Sequence, residues 1–416
     1  MIGRKTIVDN ITLEDESKKR AFAKVGQRLW AVYGIYSGGS ELVTHGSIFQ
    51  IWIAYSNDKG KHWTGHTQLT SGTGHQRAPC MAVDSQGNLH IVWYGRGVGT
   101  YPTQYQIRYI QRTTSGWGEI ENLSDVNAPQ MLPGIAVDSK DDVHVVWYGR
   151  GWGTNTNYNN IQYIKKSSGV WQAQETITDI DKDQYDATLA IDGNDDIHVV
   201  WEGQGWGLNS GWDNIQYRKR TSSGWQTQES VTDVVGYFAT GQLEPSIAID
   251  ADGDVHVAWN GRWNGEVVVR IHYIKRTTTW GSAEHIDPDY GDGSGPEARM
   301  PSLSLSLNKH IHIVWNRTGD ESGIYYRKKI GDTWGSIEKI YCSDPDLYYS
   351  DINVVALNAY YPIIGGVHTN MTNSGIVIMW DANDSTRLDF YSTEIPFLGN
   401  PNIDQLIYQH AERMQR

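Results

Sequence analysis

The stretch AVDSKDDVHVVWYGRG, from Ala136 to Gly151, decides the fold because the chain repeats it. An aspartate, a histidine six residues later and a tryptophan three residues after that recur without gaps in four segments. These segments are Ala82–Gly97, Ala136–Gly151, Ala190–Gly205 and Ala248–Trp263. A fifth segment, Leu305–Asp320, keeps the histidine and the tryptophan but has lost the aspartate. Self-similarity at a nearly fixed period predicts a repeat architecture.

Each repeat is read as four short strands, A to D. The aligned histidines are His90, His144, His198, His256 and His312, at steps of 54, 54, 58 and 56 residues. Strand A ends at the aspartate, and strand B carries the histidine and the tryptophan. Strand C is an I-x-Y run that ends at Tyr109, Tyr163, Tyr217, Tyr273 and Tyr326, and strand D starts at Trp117, Trp171, Trp225, Trp280 and Trp334. Four strands in roughly 40–55 residues predict a propeller blade.

Weaker strand patterns at both ends complete the expected fold, an all-β, seven-bladed β-propeller of four-stranded antiparallel blades in one domain, residues 1–398. The blades are expected at approximately 20–70, 78–124, 132–178, 186–232, 244–287, 299–342 and 350–395. The closing blade is expected to borrow a strand from the other terminus, either from the apolar run at 6–11 or from the tail. The C-terminal tail, 399–416, has the spacing of one short amphipathic helix.

Composition narrows the class of protein. The 416 residues include 35 basic and 48 acidic side chains, a net charge of −13, which excludes an overall basic nucleic-acid binder. The sequence has no run of about 18 apolar residues and starts without a signal-peptide pattern. We therefore expect a soluble protein that is extracellular, virion-associated or cytoplasmic. Trp and Tyr, at 18 and 24, greatly outnumber the 5 Phe, which favours half-buried strands and surfaces that stack on polar ligands.

One segment resembles a known motif. Ser56-Asn57-Asp58-Lys59-Gly60-Lys61-His62-Trp63 resembles the Asp box, S-x-D-x-G-x-T-W, of the sialidase-like propellers (also called BNR repeats), with His62 in place of Thr. The resemblance implies a hairpin turn in which Asp58 caps backbone amides and Trp63 packs between blades. Lectins, glycosidases, lyases and adhesins share the motif, so it implies a fold and leaves the activity open.

The repeated histidine is expected to be structural. Copies at one strand position lie at one radius in different blades, so they cannot share a metal ion. The aspartate six residues earlier is expected to hydrogen-bond the histidine across the A–B turn. We expect no cofactor, with calcium at the Asp-rich turns Asp250–Asp254 and Asp192–Asp196 as the alternative.

The B–C loops are long and rich in glycine, aromatic and planar polar side chains. Glycines bring the backbone close to a ligand, aromatic rings stack on the C–H faces of sugars, and guanidinium and amide groups bond their hydroxyls. The ligand-binding candidates in these loops are Arg96, Tyr101, Arg150, Trp152, Trp206, Trp212, Arg262 and Trp263. The alternative is that the loops pack on one another and the tryptophans fill gaps.

The D–A loops lead into the innermost strands, so their last residues should surround the mouth of the central channel. These residues are Arg77, Met131, Tyr185, Asp186, Glu244 and Arg299. Two arginines could hold a substrate carboxylate, and one carboxyl group could act as an acid. The catalytic candidates are Asp186, Glu244, Tyr185 and, as a possible base in a lyase, His75. The full residue set of a sialidase cannot be assigned.

Three functions remain open. The loop chemistry recurs in consecutive blades, which favours a carbohydrate-binding, lectin-like propeller with several glycan sites on the face of the B–C and D–A loops. The alternative is a polysaccharide-active enzyme, a sialidase-like glycoside hydrolase or a polysaccharide lyase, with its site at the channel mouth. The third is a structural or adhesion protein of a virion or cell surface, which allows a homo-oligomer or virion assembly. The expected partner is a glycan or polysaccharide, without nucleic acid.

Overall fold

The structure, a computed structural model, describes twelve parts of the chain: residues 5–6, 21–37, 48–58, 62–234, 241–263, 268–287, 295–305, 309–317, 323–342, 352–356, 375–384 and 387–396. All regular elements in these residues are β-strands, numbered here along the chain from β1 (Lys5–Thr6). The expected tail helix, 399–416, lies outside the described residues. Within them, no helix has the length and apolar character needed to cross a membrane.

The described strands form antiparallel sheets in chain order. Sheet I contains β2 (Phe22–Val25), β3 (Arg28–Ser37), β4 (Ile48–Ser56) and β5 (Thr64–Gln68). Sheet II contains β6 (Gln76–Val83), β7 (Leu89–Gly95), β8 (Gln106–Thr113), β9 (Gly116–Trp117) and β10 (Glu121–Asn122). Sheet III contains β11 (Gln130–Val137), β12 (Val143–Gly149), β13 (Asn160–Ser167), β14 (Val170–Trp171) and β15 (Glu175–Thr176). Sheet IV contains β16 (Gln184–Ile191), β17 (Ile197–Gly203), β18 (Asn214–Thr221), β19 (Gly224–Trp225) and β20 (Glu229–Ser230).

The remaining sheets follow the same plan. Sheet V contains β21 (Leu243–Ile249), β22 (Val255–Gly261), β23 (Arg270–Arg276) and β24 (Glu284–His285). Sheet VI contains β25 (Ala298–Leu305), β26 (Ile311–Arg317), β27 (Gly323–Ile330), β28 (Thr333–Trp334) and β29 (Glu338–Cys342). Sheet VII contains β30 (Ile352–Ala356), β31 (Gly375–Asp384) and β32 (Arg387–Pro396), and its order is β1-β32-β31-β30. The N-terminal strand β1 therefore completes the last sheet, as Lys5 pairs with Ser392.

Strands that begin a sheet contact the corresponding strands of the sheets on either side, in the succession β2, β6, β11, β16, β21, β25 and β30. Apolar clusters of buried side chains fill the space between successive sheets. This is the arrangement of a β-propeller. The B–C and D–A loops leave on one face, called the loop face here, and the short A–B and C–D turns leave on the opposite turn face.

The repeated histidine belongs to a buried hydrogen-bonded triad near the turn face. His198 Nε2 lies 3.2 Å from Asp192 Oδ2, and its Nδ1 lies 2.8 Å from the Tyr217 hydroxyl. The carboxylate only accepts, so Nε2–H is the donor and Nδ1 accepts from the tyrosine. Sheets II and III repeat the triad, which confirms the predicted aspartate–histidine hydrogen bond. In sheet V, His256 Nε2 lies farther from Asp250, at 3.4 Å. The third member, the strand C tyrosine, was not predicted.

Successive sheets are also joined at their outer edges by a contact that we call the edge clamp. Glu175 of sheet III accepts from Trp225 Nε1 at 2.7 Å and pairs with Arg220 at 2.9 Å, both in sheet IV. The Trp225 ring stands edge-on against Tyr163, with centroids 5.3 Å apart. The same clamp joins sheets II to III and V to VI through Glu121 and Glu284. The late tryptophan of the repeat therefore joins neighbouring sheets.

Candidate functional site

A buried glutamine lies at the start of strand A in three sheets and directly before it in sheet V, and this residue anchors the loop face. Gln184 Oε1 accepts from Trp201 Nε1 at 2.8 Å, and its Nε2 donates to the Gln204 carbonyl oxygen at 2.8 Å. Gly203 lies so close that a Cβ there would overlap the Gln184 side chain. The equivalents Gln76, Gln130 and Gln242 make the same pair of bonds. The fold itself therefore requires the first glycine of the repeated loop pattern.

In sheets III and IV, an aspartate of the following D–A loop clamps the B–C loop. Asp179 accepts from the backbone N–H groups of Thr154 and Asn155, both at 2.7 Å. Asp233 accepts likewise from Leu208 at 2.8 Å and Asn209 at 3.0 Å. These bonds lower the pKa of both carboxyl groups below the ordinary value. The loops are thus held in fixed conformations.

Tyr185 lies at the centre of a polar group between sheets III and IV. Its half-buried phenol interacts electrostatically with the side chains of Asn159, Asp183 and Arg150. Burial raises the pKa of Tyr185 and the Asp183 carboxylate adds to the rise, while Asn159 and Arg150 oppose it. The ring stands edge-on against Tyr148, with centroids 5.1 Å apart. A phenol placed between a carboxylate and an amide can exchange a proton with a bound substrate.

Asp213 adds a second carboxyl group beside Asp183. Its Oδ1 is buried and has no hydrogen-bond partner among the described residues. Burial raises the pKa of Asp213, a hydrogen bond from Gln204 opposes this, and the charge of Asp183 reinforces it. Asp183 itself accepts from the Asn159 backbone N–H at 2.8 Å. Sheet IV thus brings two carboxyl groups with different surroundings to the Tyr185 group. Asn159, Asp183 and Asp213 were not among the predicted site residues.

Besides Arg150, the predicted arginines fall into two places. Arg299 pairs with Glu297 at 2.7 Å, and Arg262 approaches the same carboxylate at 3.4 Å, so Glu297 neutralises part of their charge. Burial alone would raise the pKa of Glu297, but the two arginines bring it below its ordinary value. The Trp263 ring beside them packs on Trp259 and on two histidines.

The second basic place lies on sheets I and II. The Arg77 guanidinium is 5.0 Å from the Phe49 ring centroid, and Arg96 is 3.8 Å from that of Tyr105. The Phe49 backbone N–H donates to His75 Nδ1 at 3.3 Å, so in the neutral ring the proton is on Nε2. His75 therefore presents a donor rather than a free base at its other nitrogen.

Asp186 and Glu244 occupy bulges in strand A. Both have left-handed backbone, with φ of 49° and 57°. Asp186 is buried at 6% exposure. Glu244 accepts from the Met300 backbone N–H at 3.0 Å, and its own N–H donates to Glu202 at 2.6 Å. These bonds connect sheets IV, V and VI, so part of the hydrogen-bonding capacity of Glu244 serves the fold.

The remaining predicted ligand-binding residues lie on the B–C loops. Trp152 is half-buried and donates to Gln130 at 3.0 Å, and Trp206 is half-buried with its ring edge-on to Trp201. Trp212 is 47% exposed, and Tyr101 is half-buried in a tight turn. The structure thus places Arg150 and Tyr185 in one group, and Arg262 and Arg299 in another.

The turn face contains the two predicted turn motifs. Asp58 accepts from the His62 backbone N–H at 2.8 Å and bonds the Ser56 hydroxyl at 2.8 Å, the capping expected of this aspartate. The carboxylates of Asp250, Asp252 and Asp254 lie within 4.8 Å of one another. Each of the three already has a cationic or histidine partner, namely His256, Lys309 and Lys275.

Comparisons with known proteins show the fold. No family model and no curated protein matches the sequence. An ulvan lyase of polysaccharide lyase family PL25, solved bound to -[GlcA(1-4)Rha3S]-, is 12% identical, with a TM-score of 0.62 over 97% of this chain and 99% of that chain. The polysaccharide lyase Uly1 is 10% identical, with a TM-score of 0.52 over 90% of both chains. A Dyadobacter fermentans protein of unknown function is 12% identical, with a TM-score of 0.50 over 79% of this chain and 98% of that chain.

Proposed function

We propose that this chain is a polysaccharide-active enzyme, specifically a lyase, whose reaction centre is the Tyr185 group on the loop face. The observation that carries the proposal is the grouping of the half-buried Tyr185 phenol with Asn159, Asp183 and Arg150, in which the Asn159 backbone N–H donates to Asp183 at 2.8 Å. Two solved polysaccharide lyases share the fold over nearly the whole chain, which supports this class of reaction without assigning a residue.

The proposed reaction is β-elimination at a uronic acid unit. Arg150 and Asn159 hold the substrate carboxylate, which stabilises the negative charge that develops next to C5. The raised pKa keeps Tyr185 protonated at rest. Its proton passes to Asp183 as the phenolic oxygen takes the C5 proton, so the two residues together act as the base. The C5–H and C4–O bonds break, a C4=C5 double bond forms, and the phenol gives a proton to the leaving oxygen. Asp183 then returns its proton to the phenolate, which restores both residues.

A glycoside hydrolase is the second candidate, favoured by one observation. Asp213 and Asp183 are neighbouring carboxyl groups, and burial together with the charge of Asp183 raises the pKa of Asp213. Such a pair could divide the acid and base roles of hydrolysis.

The lectin-like interpretation has lost part of its support. It depended on the repeated Gly-Arg-Gly loop chemistry, and the glutamine anchors and aspartate clamps give the glycines of these loops a structural role. The Asp-box resemblance to sialidases remains a prediction.

The test is to incubate the protein with ulvan and polygalacturonate and to follow the ultraviolet absorbance of the unsaturated product. We expect Tyr185→Phe to abolish the signal while polysaccharide binding persists. Tyr148→Phe is the matched control, because the Tyr148 hydroxyl contacts Met131 Sδ at 3.8 Å. New reducing ends without an unsaturated product would instead indicate hydrolysis.

We also propose that the sheets are the seven blades of one closed ring. The contact of β30 with both β25 and β2 supports closure between the last sheet and the first. An experimental structure with another number of blades would overturn this.

A further inference from the structure

Two exposed aromatic side chains occupy the same position in neighbouring sheets. Tyr158 and Trp212, 54 residues apart, are 39% and 47% exposed on the B–C loops of sheets III and IV. Each directly precedes a residue of the Tyr185 group, Asn159 or Asp213. The two rings therefore border the proposed reaction centre on adjacent sheets.

Both rings stand on turns that are fixed from two sides. The Trp212 N–H donates to the Asn209 carbonyl oxygen at 3.1 Å, and Tyr158 makes the same bond to Asn155 at 3.1 Å. Both asparagines are in turn held by the aspartate clamps, through backbone and side-chain amides. A ring that is already oriented loses little conformational entropy when a ligand stacks on it.

The fold does not require an exposed ring at this position. In sheet II the equivalent residue is Gln104, whose N–H makes the same turn with Tyr101 at 3.0 Å. In sheet V the equivalent residue is Val268, which is buried. The turn thus forms with or without an aromatic side chain, and the exposed rings occur on the two sheets that build the Tyr185 group.

We infer that Tyr158 and Trp212 form an aromatic rim that stacks on sugar units of the polysaccharide beyond the unit that reacts at Tyr185. The inference rests on the proposed function, because it takes the occupant to be a continuation of the same substrate chain. Sugar rings present C–H faces to aromatic surfaces, and the exposed rings adjoin Asn159 and Asp213 of the Tyr185 group. The rim therefore favours long chains over short ones.

The test compares Tyr158→Ala/Trp212→Ala with the wild type on long and short substrates. Binding to ulvan and polygalacturonate is measured by affinity electrophoresis, and KM is measured for the polymer and for the shortest cleaved oligosaccharide. Two stacked rings predict a loss of roughly fivefold or more on the polymer and a smaller loss on the oligosaccharide. Leu208→Ala, in the same loop and 92% exposed, and Val170→Ala, 62% exposed at a C–D turn, should change neither value.

The inference of an aromatic rim is overturned if the double variant binds the polymer as well as the wild type does. It is also overturned if the losses on long and short substrates are equal. Thermal denaturation of each variant confirms that the fold is intact. If the wild type binds polymer through the rim but forms no unsaturated product, the lyase reaction fails and the rim stands. If the wild type binds neither polymer, both proposals fail.

Discussion

Replacing Gln184 by alanine should destabilise the protein and disturb the Tyr185 group, whereas the same change at Gln242 should only destabilise it. Both side chains are almost fully buried, and both connect a strand B indole to a loop carbonyl oxygen. Gln184 also donates to the Asp183 carbonyl oxygen at 2.8 Å, and Asp183 belongs to the Tyr185 group. Only the first substitution therefore releases a member of the proposed reaction centre.

The magnitude follows from the groups left without partners. Each substitution leaves a buried indole N–H and a carbonyl oxygen without a hydrogen-bond partner. Each unpaired group costs about 1–3 kcal/mol. Part of this is recovered if water enters the space, so we expect a loss of roughly 2–5 kcal/mol in the free energy of unfolding for either variant. A typical domain has about 5–15 kcal/mol, so both variants should fold.

The assay combines urea unfolding with the rate of product formation on ulvan or polygalacturonate. We expect similar losses of stability, but a much larger fall in kcat for Gln184→Ala than for Gln242→Ala. Losses below about 1 kcal/mol in both would refute the anchoring argument. Equal kcat values would refute the link between Gln184 and the Tyr185 group.

Three further outcomes are expected. His198→Ala should lower the free energy of unfolding by roughly 1–3 kcal/mol without selectively removing polysaccharide binding, as thermal denaturation and affinity electrophoresis would show. Burial lowers the pKa of His198, and its hydrogen bonds lower that of Asp192 despite burial, so the folded state binds fewer protons than the unfolded state. The stability contributed by these two groups should therefore be complete above about pH 6.5 and fall as the pH drops. A urea midpoint at pH 5 that is not below the midpoint at pH 7 would contradict this. Calcium added after chelator treatment should leave Tm unchanged, because the carboxylates of the Asp250–Asp254 turn already have partners; a rise in Tm would reveal a site.

The repeat was sufficient to predict the sheets, since each strand follows from a local pattern of alternation. The aspartate–histidine bond was predictable because both residues border one tight turn. The tyrosine that completes the triad lies 19 residues after His198, across a long loop, and is paired through strand register. Its recurrence in every repeat was the available signal.

The site was harder to predict because its residues break the repeat. Asn159 and Asp213 occupy one position in successive sheets but differ in chemistry, and pattern matching discards such differences. The search for a channel mouth selected Tyr185, which the proposed function places at the reaction centre. It also selected Glu244, whose carboxylate accepts from the Met300 backbone N–H of the next sheet. Sequence spacing does not reveal which backbone N–H groups at a bulge need a side-chain acceptor.

The edge clamp has a direction, because the carboxylate always comes from the earlier sheet and the indole from the later one. Neighbours joined in this way behave like protomers of a head-to-tail ring, where every member offers one surface and receives its complement. Sheet I meets sheet II differently, with the Arg112 guanidinium 4.9 Å from the Trp30 ring centroid. This junction marks a seam, because the strands of sheet I contain no aspartate or glutamate to accept from the indole of an additional copy. Duplication of a repeat within sheets II to VI would thus keep the same contact between neighbours. Insertion of a repeat between sheets I and II would require a new contact.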